Sequence, residues 1–148
     1  MSDHFLRLAV VDEDPPDLIE LRVRVSHGER SAESTAYASP EFLSESGRAI
    51  LDWVESPNNP LKIEAGANTG IGWMVLDFYT IDSAGHARCA VELATKTRTD
   101  EPRPAETSRF VVELPTELGL IERFGRECLA VGNDFKREAR LTVLPVMG

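Results

Sequence analysis

Cysteine is scarce in this chain: the two residues present, Cys89 and Cys128, both fall inside apolar patterns. That excludes a disulfide-stapled scaffold and favours reduced, buried thiols in a cytoplasmic setting. Metal-ligand spacing is missing too. There is no CxxC pair and no HxxxH, and His4, His27 and His86 are far apart in sequence, so neither a metal nor another cofactor is expected. Long apolar runs are also absent, none approaching the ~20 residues that cross a bilayer. The opening segment, MSDHFLRLAVVDEDPPDL, lacks the basic start, apolar stretch and small-residue cleavage site of a secretory signal.

Positive charge is in short supply. The net charge is −9, and residues 1–60 hold 12 acidic side chains against 5 basic ones. Such a surface repels phosphate backbones and anionic lipid, which argues against nucleic-acid and membrane partners; it would attract a basic protein partner, and it equally serves plain solubility. What remains is ordinary. Hydrophobic residues at 42% and charged residues at 28% describe a globular domain spanning 1–148, large enough to bury a core unaided.

Periodicity supplies the elements. FLRLAVV (5–11) reads as a strand ended by the charged DEDPPD, and LIELRVRV (18–25) alternates, with Ile19, Leu21, Val23 and Val25 on one face. SHGERSAES is a turn region and TAYA a short returning strand. A helix follows, capped by Ser39 with Pro40 at its first position, its stripe formed by Phe42, Leu43, Ile50, Trp53 and Val54. SPNNP (56–60) stops it, LKIEA (61–65) is a strand, and GANTGIG (66–72) is a turn whose glycine order fits no phosphate loop. TRTDEPRPAET (97–107) is a polar connecting loop, and RFVVEL (109–114) is a strand with Phe110, Val112 and Leu114 on one face. The second helix is capped by Thr116, with Leu118, Ile121, Phe124, Cys128 and Val131 as its stripe and Gly132 as its left-handed stop. Gly119 and Gly125 inside it each cost up to ~1 kcal/mol, which points to close packing there. ARLTVLPV (139–146) is a last strand at a sheet edge, because Pro145 cannot donate to a ladder. This order predicts an α+β fold: a mainly antiparallel sheet with two helices packed on one face.

The clearest pattern is GWMVLDFYTIDSAGHARCAVELATK (72–96). With DSAG (82–85) as the turn, Phe78 faces Cys89, Leu76 faces Val91 and Met74 faces Leu93, all apolar on one face. Tyr79 then meets Arg88, Asp77 meets Ala90 and Val75 meets Glu92 on the other face, where Asp77 and Arg88 are diagonal and suited to an exposed ion pair. His86 sits beside the turn, within reach of Asp82 but of no activated nucleophile, so it marks a surface turn rather than a catalytic centre. Trp73, Val75 and Tyr79 fall on the face that should be wet. Either the 97–107 loop or a terminus covers them, or they form an apolar patch that binds something.

The run Asp12, Glu13, Asp14 and Asp17 lacks the glycine and terminal glutamate of an EF-hand loop and reads as a solvated charge cluster. The blocks GHARCAVEL and RFVVELPTELGLIERFGREC, within residues 72–131, resemble small uncharacterised single-domain bacterial proteins, some of which are immunity partners of polymorphic toxins. The resemblance implies a binding protein rather than an enzyme and carries no functional residue over. The expected function is therefore a non-catalytic cytoplasmic protein-binding domain, possessing an immunity-type surface that masks a basic toxin. Its partner-binding residues are Asp12, Glu13, Asp14, Asp17, Trp73 and Tyr79. The alternative is a small-molecule-binding domain or minor hydrolase using the second sheet face as a pocket, with Asp77, His86 and Arg88 as polar anchors. A homodimer pairing edge strands is the third expectation.

Overall fold

The computed structural model describes residues 4–14, 17–66, 72–96 and 107–145, with the side chains of Asp14, Lys96 and Thr107 outside the description. In chain order the elements are β1 (Phe5–Asp14), β2 (Leu18–His27), β3 (Arg30–Ala38), α1 (Phe42–Glu55), β4 (Leu61–Gly66), β5 (Gly72–Thr80), β6 (His86–Lys96), β7 (Thr107–Glu117), α2 (Leu118–Asn133) and β8 (Glu138–Thr142). The α+β class stands. Among the described residues the strands form two four-stranded antiparallel sheets rather than one, ordered β3-β2-β1-β8 and β4-β5-β6-β7. β8 is an edge strand, and Pro145 lies beyond its end.

The connectivity is doubled. Each sheet is a run of four antiparallel neighbours followed by a helix, provided β8 counts as the first strand of the first sheet. The sheets meet at two corresponding corners. Past β8 the Leu144 amide donates to the Pro115 carbonyl of β7 at 2.8 Å, and the Thr116 hydroxyl donates to the Thr142 carbonyl at 3.0 Å. At the other corner Gly72 lies so close to β3 that a side chain there would collide with the Thr35 carbonyl, while the hydroxyls of Ser34 and Thr95 are 2.9 Å apart.

Alternation puts the apolar residues of both sheets into a shared core. Leu6, Leu8, Ile19, Leu21, Val23 and Val25 face Met74, Leu76, Phe78, Cys89, Val91 and Leu114, with Leu43, Ile50, Ile121, Phe124, Cys128 and Val131 contributed by the helices. Rings of Trp53, Phe78 and Phe124 follow one another in tilted contact with centroids 6.2 and 6.3 Å apart, and the Trp53 indole donates to the Asn59 carbonyl. Burying each such large side chain contributes about 1.5–3 kcal/mol. Both cysteines are free and buried, and the apolar surroundings push both thiols up.

Several boundaries depart from the expected ones. The strand through FLRLAVV continues across the acidic residues to Asp14, with a bulge between Val10 and Asp12. The strand containing TAYA is longer, starting at Arg30 straight after the Gly28–Glu29 turn. α1 begins after Glu41 with no side-chain cap, so Ser39 and Pro40 belong to the preceding turn, where the Ser39 carbonyl accepts from the Phe42 amide. Thr116 caps no helix: it ends inside β7, fully buried. Gly132 lies within α2 rather than past its end, packed on Ser44 of α1. Gly125 is the close contact anticipated, but Gly119 faces open space. The GANTGIG turn at 67–71 and the 97–106 loop lie outside the described residues.

Candidate functional site

β1 and β2 run the acidic residues out along a hairpin. Past the bulge, Asp12 lies opposite Glu20 and Glu13 opposite Ile19. Asp12, Glu13 and Asp17 are exposed, whereas the Asp14 side chain is outside the description. Like charges directly opposite on one sheet face are destabilising, by a few tenths to ~1 kcal/mol. Among the described residues, none forms an ion pair with Asp12, Glu13, Asp17 or Glu20. Asp12 and Glu13 line a groove of about 590 Å³ between Ala9–Glu13 of β1 and 135–138 at the head of β8, with Arg22 on its wall. Arg22 is held by Glu33 at 3.5 Å, Arg137 by Asp134 at 3.7 Å and Glu138 by Arg7 at 3.5 Å.

The sequence hides this groove, because the charged DED reads as the end of a strand. One signal was present: the alternation of β2 starts at Leu18, so its partner had to run back alongside it.

The outer face of β5, β6 and β7 forms a second surface. Its rows are Trp73–Ala94–Arg109, Val75–Glu92–Val111, Asp77–Ala90–Glu113 and Tyr79–Arg88–Pro115. Val75 and Ala94 are buried, Trp73 and Tyr79 half-buried, and Val111 is 55% exposed. Ion pairs flank this strip, Arg109 with Glu92 at 3.3 Å and Arg88 with Glu113 at 3.6 Å. The expected Asp77–Arg88 pair is therefore absent. Glu113 on β7 takes Arg88, whose guanidinium also donates to the Ala87 carbonyl, and Lys62 of β4 lies directly across from Asp77. Tyr79 also turns to Glu113: burial and a hydrogen bond to that carboxylate push its hydroxyl up to about 12. Whether the loop covers this face lies outside the described residues.

The hairpin register is the expected one, pair for pair, from Met74–Leu93 through Phe78–Cys89 to Tyr79–Arg88. At its turn one Asp82 oxygen accepts from the amides of Ala84 and His86, and the other lies 2.6 Å from His86 Nδ1. The His86 contact holds the Asp82 carboxyl below its ordinary range, helped by the two amides. The Gly85 carbonyl accepts from Leu118, the first residue of α2. Asp82 and His86 thus close a turn and anchor a helix start.

The fold also joins two histidines that the sequence separates. His4 and His27 approach to 3.3 Å between Nδ1 atoms, with rings edge to face, and the Gly28 amide donates to His4. Burial first, then the neighbouring His4, lowers the pKa of His27. Among the described residues, no three His, Cys, Asp or Glu side chains gather to hold a metal ion, and no helix is long and apolar enough to cross a membrane.

The candidate residues therefore occupy three places: the β1–β2 tip, the outer face of the second sheet and the β5–β6 turn. No family model, curated protein or solved structure matches the chain.

Proposed function

We propose that this chain is a protein-binding domain whose partner is basic and is engaged at the acidic end of β1 and β2. The observation that carries the reading is the exposure of Asp12, Glu13 and Asp17 at the β1–β2 tip, the first two lining an open groove, with no ion pair to any of the three among the described residues. Charges arranged in this way raise the free energy of the isolated molecule and lower it when a cationic surface arrives, which steers association as well as holding it. A cytoplasmic immunity-type protein masking a basic toxin is the biological form of that reading. The outer face of the other sheet supplies a second contact, with Val111 exposed on β7 and Trp73 and Tyr79 half-buried on β5 across β6.

A ligand-binding or hydrolytic role would draw on Asp77, His86 and Arg88. His86 is engaged with Asp82, and Arg88 with Glu113 and Ala87, so two of these three anchors already spend their polar groups within the chain.

The test is co-purification of wild type and of the Asp12→Lys, Glu13→Lys, Asp17→Lys triple variant, with the bound proteins identified. A cationic protein retained by wild type and released by charge reversal or added salt is the expected result. Identical partners for both forms would overturn the reading.

A further inference from the structure

β8 covers β1 from Phe5, opposite Thr142, to Ala9, opposite Glu138, and there the pairing ends. β2 continues beside β1 as far as Asp14. From Val10 onward, β1 is paired on one side only among the described residues, and the groove lies along the other side. A strand edge of this kind presents unpaired N–H and C=O groups to solvent, over about 17 Å at about 3.3 Å per residue.

The same edge is guarded. The bulge at Val11 bends it, and Asp12 and Glu13 line it. A second copy of this chain would bring Asp12 and Glu13 against their own counterparts, so pairing between copies is opposed by like charge. A cationic strand meets the opposite sign. Lys136 is the one lining cation without an acidic partner among the described residues, Arg22 and Arg137 being held by Glu33 and Asp134.

We infer that the Val10–Glu13 edge of β1 receives an extended basic segment of the partner protein as an added strand, in line with β8. This rests on the basic-partner reading and adds its mode: main-chain hydrogen bonds supply the attachment and alternate side chains the selection. Residues across from Asp12 and Glu13 are lysine or arginine, and the residue across from Val10, on the core side of the sheet, is apolar.

The probe is a synthetic peptide built of valine-flanked lysine pairs, compared with its copy N-methylated at alternate amides and with a counterpart holding glutamate in place of lysine. Affinity is read by fluorescence anisotropy and the edge by amide hydrogen exchange. The lysine peptide is expected to bind and to slow exchange at Val10–Glu13. N-methylation weakens it about tenfold or more by removing ladder donors. Asp12→Lys with Glu13→Lys weakens it about tenfold or more through charge. Failure of the lysine peptide to bind overturns strand addition, as does binding without slowed exchange or indifferent to N-methylation. If charge reversal still abolishes that indifferent binding, the basic-partner reading survives without its strand mode. Equal binding of the glutamate peptide overturns the choice of a basic segment.

Discussion

Gly47 and Gly125 face each other where α1 and α2 cross: a Cβ on Gly47 would lie 2.7 Å from the Gly125 carbonyl oxygen and 2.8 Å from Leu129 Cγ. One of the two obstacles is backbone, which cannot rotate away. Gly47→Ala is therefore expected to lower stability by about 1–3 kcal/mol through overpacking, against the ~1 kcal/mol that alanine gains as a helix former. Gly119→Ala, which meets nothing within 4 Å, raises it by up to ~1 kcal/mol. Urea denaturation of the two variants reads opposite signs.

Tyr79 gives an optical test of the outer face. Tyrosine occurs twice, so Tyr37→Phe leaves Tyr79 as the sole phenol. Its ultraviolet titration is expected to have a midpoint of about 12. Glu113→Gln brings the midpoint part of the way back toward ~10, the ordinary value, because burial, the largest single cause, remains. A raised pKa means that the folded state holds the proton to higher pH than the unfolded one. The associated stability is fully present below the ordinary tyrosine range and is lost as pH rises through about 12.

The sign is reversed at Asp82. Its carboxyl is held low by His86, so its contribution is present above the ordinary carboxylate range and disappears as pH falls through the depressed value. Asp82→Asn keeps an oxygen for the amides of Ala84 and His86 but loses the charge. Denaturation curves should separate wild type from this variant at neutral pH and converge in strong acid.

Thr116 is fully buried, and its hydroxyl ties β7 to the Thr142 carbonyl at the end of β8. Thr116→Val preserves shape and removes the donor, with an expected loss of about 1–2 kcal/mol. Thr116→Ser retains the hydroxyl and so a larger part of that stability. Thermal unfolding of the pair checks the order.

The hairpin register was legible because period-two alternation on two adjacent strands admits one pairing that sorts Met74, Leu76 and Phe78 against Leu93, Val91 and Cys89. The strand within 18–25 and the apolar stripes of both helices were legible for the same reason. The division into two sheets was not, since alternation reports which face is buried and says nothing about where a sheet breaks. Nor was Thr116 as a strand residue: threonine before a leucine-rich run matches a cap chemically, and only its contact with Thr142, 26 residues away, decides otherwise. The candidate edge stayed hidden because charge ended the expected strand at Val11, whereas backbone pairing with β2 carries it on to Asp14.

β8 carries a consequence for the order of folding. Phe5 pairs with Thr142, so the first sheet gains its fourth strand only after the intervening chain has been placed. Contacts of such sequence separation are reached slowly, because loop closure precedes their reward. Until β8 docks, the whole length of β1 from Phe5 to Asp14 is an open edge, apolar at Leu6 and Leu8 and acidic only near its far end. The carboxylates that discourage copies from pairing protect the part of β1 that β8 leaves uncovered. The part open only during assembly relies on the speed of β8, and variants slow to dock it should aggregate from there.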